Sequence, residues 1–271
     1  NSACADTGWD PLHIRINQGN AGAMLPLYLK THSMGEYVFD HPWANAYHRH
    51  GLEYYPKLVT AIPFTPSMGP RIVSPDNSLP INYTELINNI TEIATNRRLS
   101  SWHLLFGNTH VVRSFESPEL LTRKGVQYHW HNRGYSDFDD FLNSLTSKKR
   151  KMIRKERESI SRQEIAVTLL TGKKIGNSVW ELFYNLYERT YAKRNGTRGY
   201  LTKKFFNLIS SSMSDQLLMA VATRHEKPIA CALYFYDSEC LYGRYWGSTS
   251  EYDHLHFELC YYAGIEFAIT N

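Results

Sequence analysis

The chain has 271 residues, 42% of them hydrophobic and 14% aromatic, with 30 Lys and Arg against 26 Asp and Glu. So much apolar text supports a large core and more than one domain, and the moderate charge without low-complexity tracts excludes a disordered chain. No apolar run approaches the about 18 residues that a membrane-spanning helix needs, and the first residues do not read as a signal peptide.

In chain order, Leu12 to Ile16 alternates as a strand, Asn17-Gln18-Gly19-Asn20 is turn chemistry, and Gly22 to Lys30 reads as a second, apolar strand. Glu36 to Asp40 predicts a third. His41 to His50 predicts a short helix with Pro42 in its first turn. Tyr55 to Ile62 is strand-like. Residues 63–70 hold three prolines and predict an irregular loop, because proline supplies no ladder donor. Asn82 to Arg98 is an amphipathic helix with Leu86, Ile90 and Ile93 on one face. Trp102 to Phe106 and Val126 to His131 predict strands. Two helices follow, the first capped by Ser136 or Asp137, the second by Thr146 or Ser147.

Ile165 to Leu170 reads as a strand, and Ser178 to Arg194 and Thr202 to Ser211 as helices. Leu217 to Thr223, Lys227 to Tyr236 and Cys240 to Trp246 form a meander with a tight turn at Arg224-His225-Glu226-Lys227. Asp253 caps a last helix, His254 to Ile269. Residues 12–40 and 217–269 follow the same order of strand, turn, strand, strand and helix. The expected organisation is a tandem of one α/β unit lacking its first elements in the N-terminal copy and its last in the C-terminal one. The expected boundaries are 1–136, a basic helical connector at 137–164, and 165–271.

The net charge of +4 says little by itself, and its distribution says more. Lys148 to Arg162 holds eight basic residues and two acidic ones, leaving the rest of the chain nearly neutral. Lys148, Lys149, Arg150, Lys151, Arg154 and Lys155 suit phosphates of a nucleic acid or nucleotide, and they also suit a solvated helix face. Cys4, Cys231, Cys240 and Cys260 include no C-x-x-C pair and read as reduced thiols of a cytoplasmic protein. His129-x-His131 places two imidazoles on one strand face, short of the three or four ligands a metal site needs, so no metal is expected.

Several segments carry a resemblance. Ser-Lys-Lys-Arg-Lys-Met-Ile-Arg-Lys-Glu after a short helix, the Arg198-Gly199-Tyr200-Leu201 corner, Pro228-Ile229-Ala230 and Tyr242-Gly243-Arg244-Tyr245-Trp246-Gly247 resemble the second domain of FemAB-type peptidyltransferases. Gly35 to Asp40, Tyr54 to Leu58, Pro63 to Pro66, His129 to Tyr135 and Leu255 to Tyr262 resemble the FemAB-like group of N-acyltransferases and peptidoglycan biosynthesis proteins. The resemblance implies an α/β (α+β) fold of tandem GNAT-like domains with mixed central sheets. It implies an enzyme that transfers an acyl or aminoacyl group to an amine, on a peptidoglycan precursor, with no tightly bound cofactor.

That reaction needs positioning, a base for the amine proton and donors for the oxyanion. His256 and Glu258 follow the meander where a GNAT-like site opens, and Asp40 with Trp43 stands at the matching place in the first half. These are the candidate catalytic residues: His256, Glu258 and Asp40. Arg244, Tyr245, Trp246, Tyr55, Lys57 and His254 are candidates for substrate binding, and Tyr54 with loop 63–71 for lining a cleft. Helix capping, internal ion pairing and rigid connection are the ordinary alternatives for these positions. The acetyl-CoA signature [QR]-x-x-G-x-[GA] is absent, since Arg194 to Gly199 has the wrong spacing, and there is no P-loop or Rossmann fingerprint. Aminoacyl-tRNA is therefore preferred over acyl-CoA as donor. The rivals are an acetyl-CoA-dependent N-acetyltransferase and a non-catalytic RNA-binding protein that uses helix 148–162.

Overall fold

A computed structural model describes residues 3–18, 21–75 and 80–271. The chain divides into two compact units, Asn1–Gly125 and Val126–Asn271, so the segment 137–164 belongs to the second unit.

In the first unit the strands are β1 (Asp10–Pro11), β2 (Ile14–Gln18), β3 (Ala21–Leu25), β4 (Tyr28–Lys30), β5 (Lys57–Thr60) and β6 (Trp102–Leu104). The helices are α1 (His41–Arg49), α2 (Tyr83–Asn96) and α3 (Thr109–Ser114). The sheet order is β1-β4-β5-β6, antiparallel except for the parallel pair β5 and β6, while β2 and β3 form a separate hairpin. The sequence predicts one strand over 22–30. Pro26 divides it, because a proline has no N–H for the ladder, and the two pieces join different sheets. The Asn82 side chain caps α2 by accepting the Glu85 N–H at 3.2 Å. Leu86, Ile87 and Ile90 of this helix are buried with Leu25, Leu27 and Leu58. The proline loop is ordered by Arg71, which is buried and donates to the carbonyls of Leu105, Pro70 and Ser67 at 2.8, 3.0 and 2.8 Å.

In the second unit, α4 (Phe138–Asn143) and α5 (Ser147–Arg162) are capped by Asp137 and Thr146. Strand β7 (Ile165–Thr171), helices α6 (Asn177–Asn195) and α7 (Lys203–Ser212), and strands β8 (Leu217–Arg224), β9 (Lys227–Tyr236) and β10 (Leu241–Ser248) follow. The sheet order is β10-β9-β8-β7, antiparallel throughout, in contrast to the mixed sheet of the first unit. His225 and Glu226 both have positive φ, as a two-residue hairpin loop between right-twisted strands requires.

Alternation sends Leu218, Ala220, Ala230, Ala232 and Tyr234 to one face, against Leu255, Leu259 and Ile160. On the other face Tyr245 packs against Tyr187 of α6 and Phe206 of α7. Helix α6 approaches β10 so closely that a Cβ on Gly247 would lie 2.5 Å from the Leu186 carbonyl oxygen.

The last helix departs from expectation. It runs as α8 (Leu255–Phe257), a π turn (Glu258–Tyr262) and α9 (Ala263–Thr270). His254, with φ 63°, precedes it in place of a capping Asp253. Two expected strands are absent. Residues 36–40 are irregular, with Gly35 and Tyr37 at positive φ. Residues 126–131 form no regular secondary structure and have no ladder partner among the described residues. Val126 and Tyr128 are 83% and 94% exposed, so their alternation has no core to face. The repeat expected between residues 12–40 and 217–269 also differs in pairing: the first is split over two sheets, the second is one continuous meander.

Candidate active site

In β10 the register shifts between Gly243 and Tyr245, so Arg244 is the extra residue of a bulge. Its guanidinium lies over the Tyr245 ring at 4.7 Å and donates to the Tyr245 hydroxyl at 2.8 Å. Tyr245 faces α6 and α7, whereas Trp246 faces α8, where its ring meets His256 edge-on at 4.7 Å. Alternation therefore separates two groups that the sequence reading placed in one site: Arg244 with Tyr245, and Trp246 with His256.

His256 is half-buried. Phe257 and Tyr261 flank its ring at 5.8 and 5.7 Å, and both are about half exposed. Burial, helped by the positive charge of Arg194, holds the imidazole below its ordinary pKa. At neutral pH the ring is then a neutral base, open on one side and walled by aromatic rings on the others. His254 is exposed at the start of the same helix.

Glu258 is buried and ion-paired with Arg157 of α5, which donates through Nε at 3.2 Å and Nη2 at 3.0 Å. Arg157 also reaches Glu266 at 2.8 Å. Burial raises the Glu258 carboxyl above the usual range, and Arg157 opposes the rise. A carboxylate so engaged holds helices together, a different task from that of an open base.

The first unit gathers the other candidates (Fully buried Lys57 extends from β5 into a nest of acceptors.) Its Nζ lies 2.6 Å from Asp40, 2.9 Å from Glu36 and 2.8 Å from the Ser33 hydroxyl. Tyr54 donates to the same Asp40 oxygen at 2.8 Å, and Ser33 lies 2.8 Å from the Tyr55 hydroxyl. Burial alone would raise the Asp40 carboxyl, yet hydrogen bonds from Lys57 and Tyr54 hold it below the usual range. Lys30, directly opposite Lys57 across β4 and β5, is also buried, with its Nζ 3.9 Å above the Trp9 ring. Burial lowers its pKa to about 8, against the attraction of Glu36. Burial likewise drives His103 to about 4, with Lys57 adding to the shift. Asp40, Tyr55 and Lys57 thus meet, with Tyr54, which the sequence offers as a cleft-lining residue, and with Ser33, Glu36 and Lys30, which it does not single out. Trp43 is 45% exposed and stacks under Arg123 at 5.4 Å.

On α5, Lys148, Lys149, Lys151 and Lys155 are exposed. Arg150 donates to Asn143 at 2.9 Å, and Arg154 pairs with Asp139 at 3.0 Å. His129 and His131 lie with ring centroids 6.3 Å apart. No group of three or more metal-ligating side chains occurs among the described residues, and no described helix is long and apolar enough to cross a membrane.

These features define a mixed α/β protein with a neutral imidazole at a sheet end and a separate lysine-rich helix face. A family profile named FemAB-like, described as peptidoglycan biosynthesis/recognition, matches residues 1–271. The chain belongs to this FemAB-like family. No curated protein matches it. Among solved structures it is similar to a conserved protein of unknown function from Bacteroides thetaiotaomicron, at 11% identity and TM-score 0.48, covering 93% of this chain and 72% of that one. It is also similar to FemX, at 11% identity and TM-score 0.46, covering 98% and 77%.

Proposed function

We propose that this chain is a cytoplasmic N-acyltransferase that moves an aminoacyl group from aminoacyl-tRNA to an amine on a peptidoglycan precursor. The observation that carries the reading is His256, a half-buried imidazole below its ordinary pKa, open to solvent beside Trp246, Phe257 and Tyr261. As the amine nitrogen bonds to the ester carbonyl carbon, it must lose a proton. A neutral imidazole accepts that proton, and as the ester C–O bond breaks the imidazolium returns it to the departing oxygen, which leaves as the tRNA hydroxyl. Lys148, Lys149, Lys151 and Lys155 are exposed and pair with no carboxylate among the described residues, so they are available to donor phosphates, whereas Arg154 pairs with Asp139. Family membership over the whole chain supports the cell-wall acceptor.

The test is transfer of label from a pool of aminoacyl-tRNAs, and separately from acetyl-CoA, to amines of a peptidoglycan precursor. Label leaving tRNA, with a loss on the order of 10²-fold or more in kcat for His256→Ala, supports the reading. Label moving only from acetyl-CoA replaces the donor. RNA binding with no transfer to any amine leaves a non-catalytic binding protein.

A further inference from the structure

The π turn at 258–262 stands directly between His256 and α9, and it is pinned at three points. Tyr234 of β9 donates its hydroxyl to the Leu259 carbonyl, which lies within the turn. Tyr262 donates its hydroxyl to Glu156 of α5. Glu258 accepts two hydrogen bonds from Arg157, whose guanidinium also holds Glu266 and lies 4.6 Å from the centre of the Phe138 ring. Glu258, Tyr262 and Glu266 recur every fourth residue, so one side of the segment is fastened to α5.

A π turn holds about one residue more per turn than an α-helix, and each residue rotates a helix by about 100°. Regularising this turn would swing His256 and Phe257 by that angle relative to α9. The pins therefore set the direction in which His256 points, against Trp246 and outward. Among them only Arg157 is an ionic link that engages both the turn and α9.

We propose that Arg157 is a positioning residue: through Glu258 and Glu266 it holds the π turn and so fixes the His256 imidazole against Trp246. The inference rests on the base role given to His256 only for its kinetic consequence, since the geometric claim concerns the imidazole itself. The charge that acts on His256 is that of Arg194 of α6, which also acts on the Cys260 thiol of the turn, and the Tyr261 ring packs against the imidazole. Arg157 acts on its orientation and burial.

The experiment is an NMR titration of the His256 ring in the full chain, assigned by difference from His256→Ala, for wild type, Arg157→Gln, Arg157→Lys and Glu266→Gln. In Arg157→Gln the His256 pKa is expected to rise towards the ordinary imidazole value and the ring-current shift from Trp246 to shrink. Glu266→Gln shifts both less, in the same direction, and Arg157→Lys recovers part of the wild-type value. Transfer kcat falls on the order of 10- to 100-fold in Arg157→Gln with KM unchanged. An unchanged titration and ring-current shift in a folded Arg157→Gln overturn the proposal. If that variant does not fold, unchanged signals in both Arg157→Lys and Glu266→Gln overturn it. Undiminished transfer by His256→Ala removes the base role alone, and the ring measurements still decide the positioning.

Discussion

Lys57 and His256 carry opposite lessons about charge. The ammonium of Lys57 is fully enclosed and meets two carboxylates and a hydroxyl, so its three N–H groups are all satisfied. His256 is held towards its neutral form by burial and by the positive charge of Arg194. If His256 is the base, transfer rises with pH through an apparent pKa below about 6.5, the ordinary imidazole value, and is flat at pH 7 to 8. A pH–rate profile of kcat/KM checks this.

His103 shows the same depression in a purely structural setting. Between about 4 and 6.5 the unfolded state binds a proton that the folded state refuses, so folding stability rises with pH across that window. His103→Gln keeps a partner for Ser101 and removes the titration. Urea denaturation at pH 4.5 and 7 should show the stability difference shrink by roughly 2 kcal/mol in this variant, after discounting for partial exposure.

Asp40 was legible as the first-half counterpart of His256 and Glu258, and Tyr55 and Lys57 as part of a segment fit to line a cleft. Lys30, an isolated lysine ending an apolar strand, carried a signal of its own that polar residues in apolar text need partners. Glu36 was obscured because residues 36–40 read as a strand, and only the left-handed turn at Gly35 and Tyr37 folds it back onto Lys57.

At the scale of elements, α5 has two faces with different tasks. Ile153, Arg157 and Ile160 share one stripe, so helical spacing alone places Arg157 with the buried residues and away from the exposed lysines. Counting it within a charge run hid that placement. The lysine face predicts a salt-dependent interaction with RNA. Replacing Lys148, Lys149 and Lys151 by Ala should flatten the plot of log binding constant against log salt by about 2 to 3, whereas Arg154→Ala should change it by less than about 1. Fluorescence anisotropy of labelled tRNA over a salt series measures both.

Strands and helices from Phe138 to Ser248 were read closely because their periodicities are long and the starts of α4, α5 and α7 carry ordinary capping residues. The π turn has no such signature, since its register is set by Arg157, Glu156 and Tyr234, all distant in sequence.

At the scale of the whole molecule, the two units have separate hydrophobic clusters, one around Leu25, Leu58 and Ile90, the other around Leu218, Ala232 and Leu259. Lys57→Met leaves Glu36 and Asp40 buried without their cation and should destabilise the first unit by about 3 to 5 kcal/mol. Hydrogen exchange followed by mass spectrometry should show lost protection within residues 1–125, with that of 126–271 unchanged. The basic run reads as a linker by its charge, whereas its buried stripe of Ile153 and Ile160 packs it into the unit Val126–Asn271.

The contact of Gly247 with Leu186 leaves a trace in the space of tolerated sequences. A single methyl group at 247 would displace α6 from the sheet, whereas a Cβ on Gly243 in the same strand would meet only the Tyr234 ring at 3.4 Å, and one on Gly51 would meet nothing. A saturation library selected for folded protein should therefore exclude every substitution at 247 while admitting alanine at 243. The thickness of one backbone atom thus becomes a rule about which descendants of this sequence can survive.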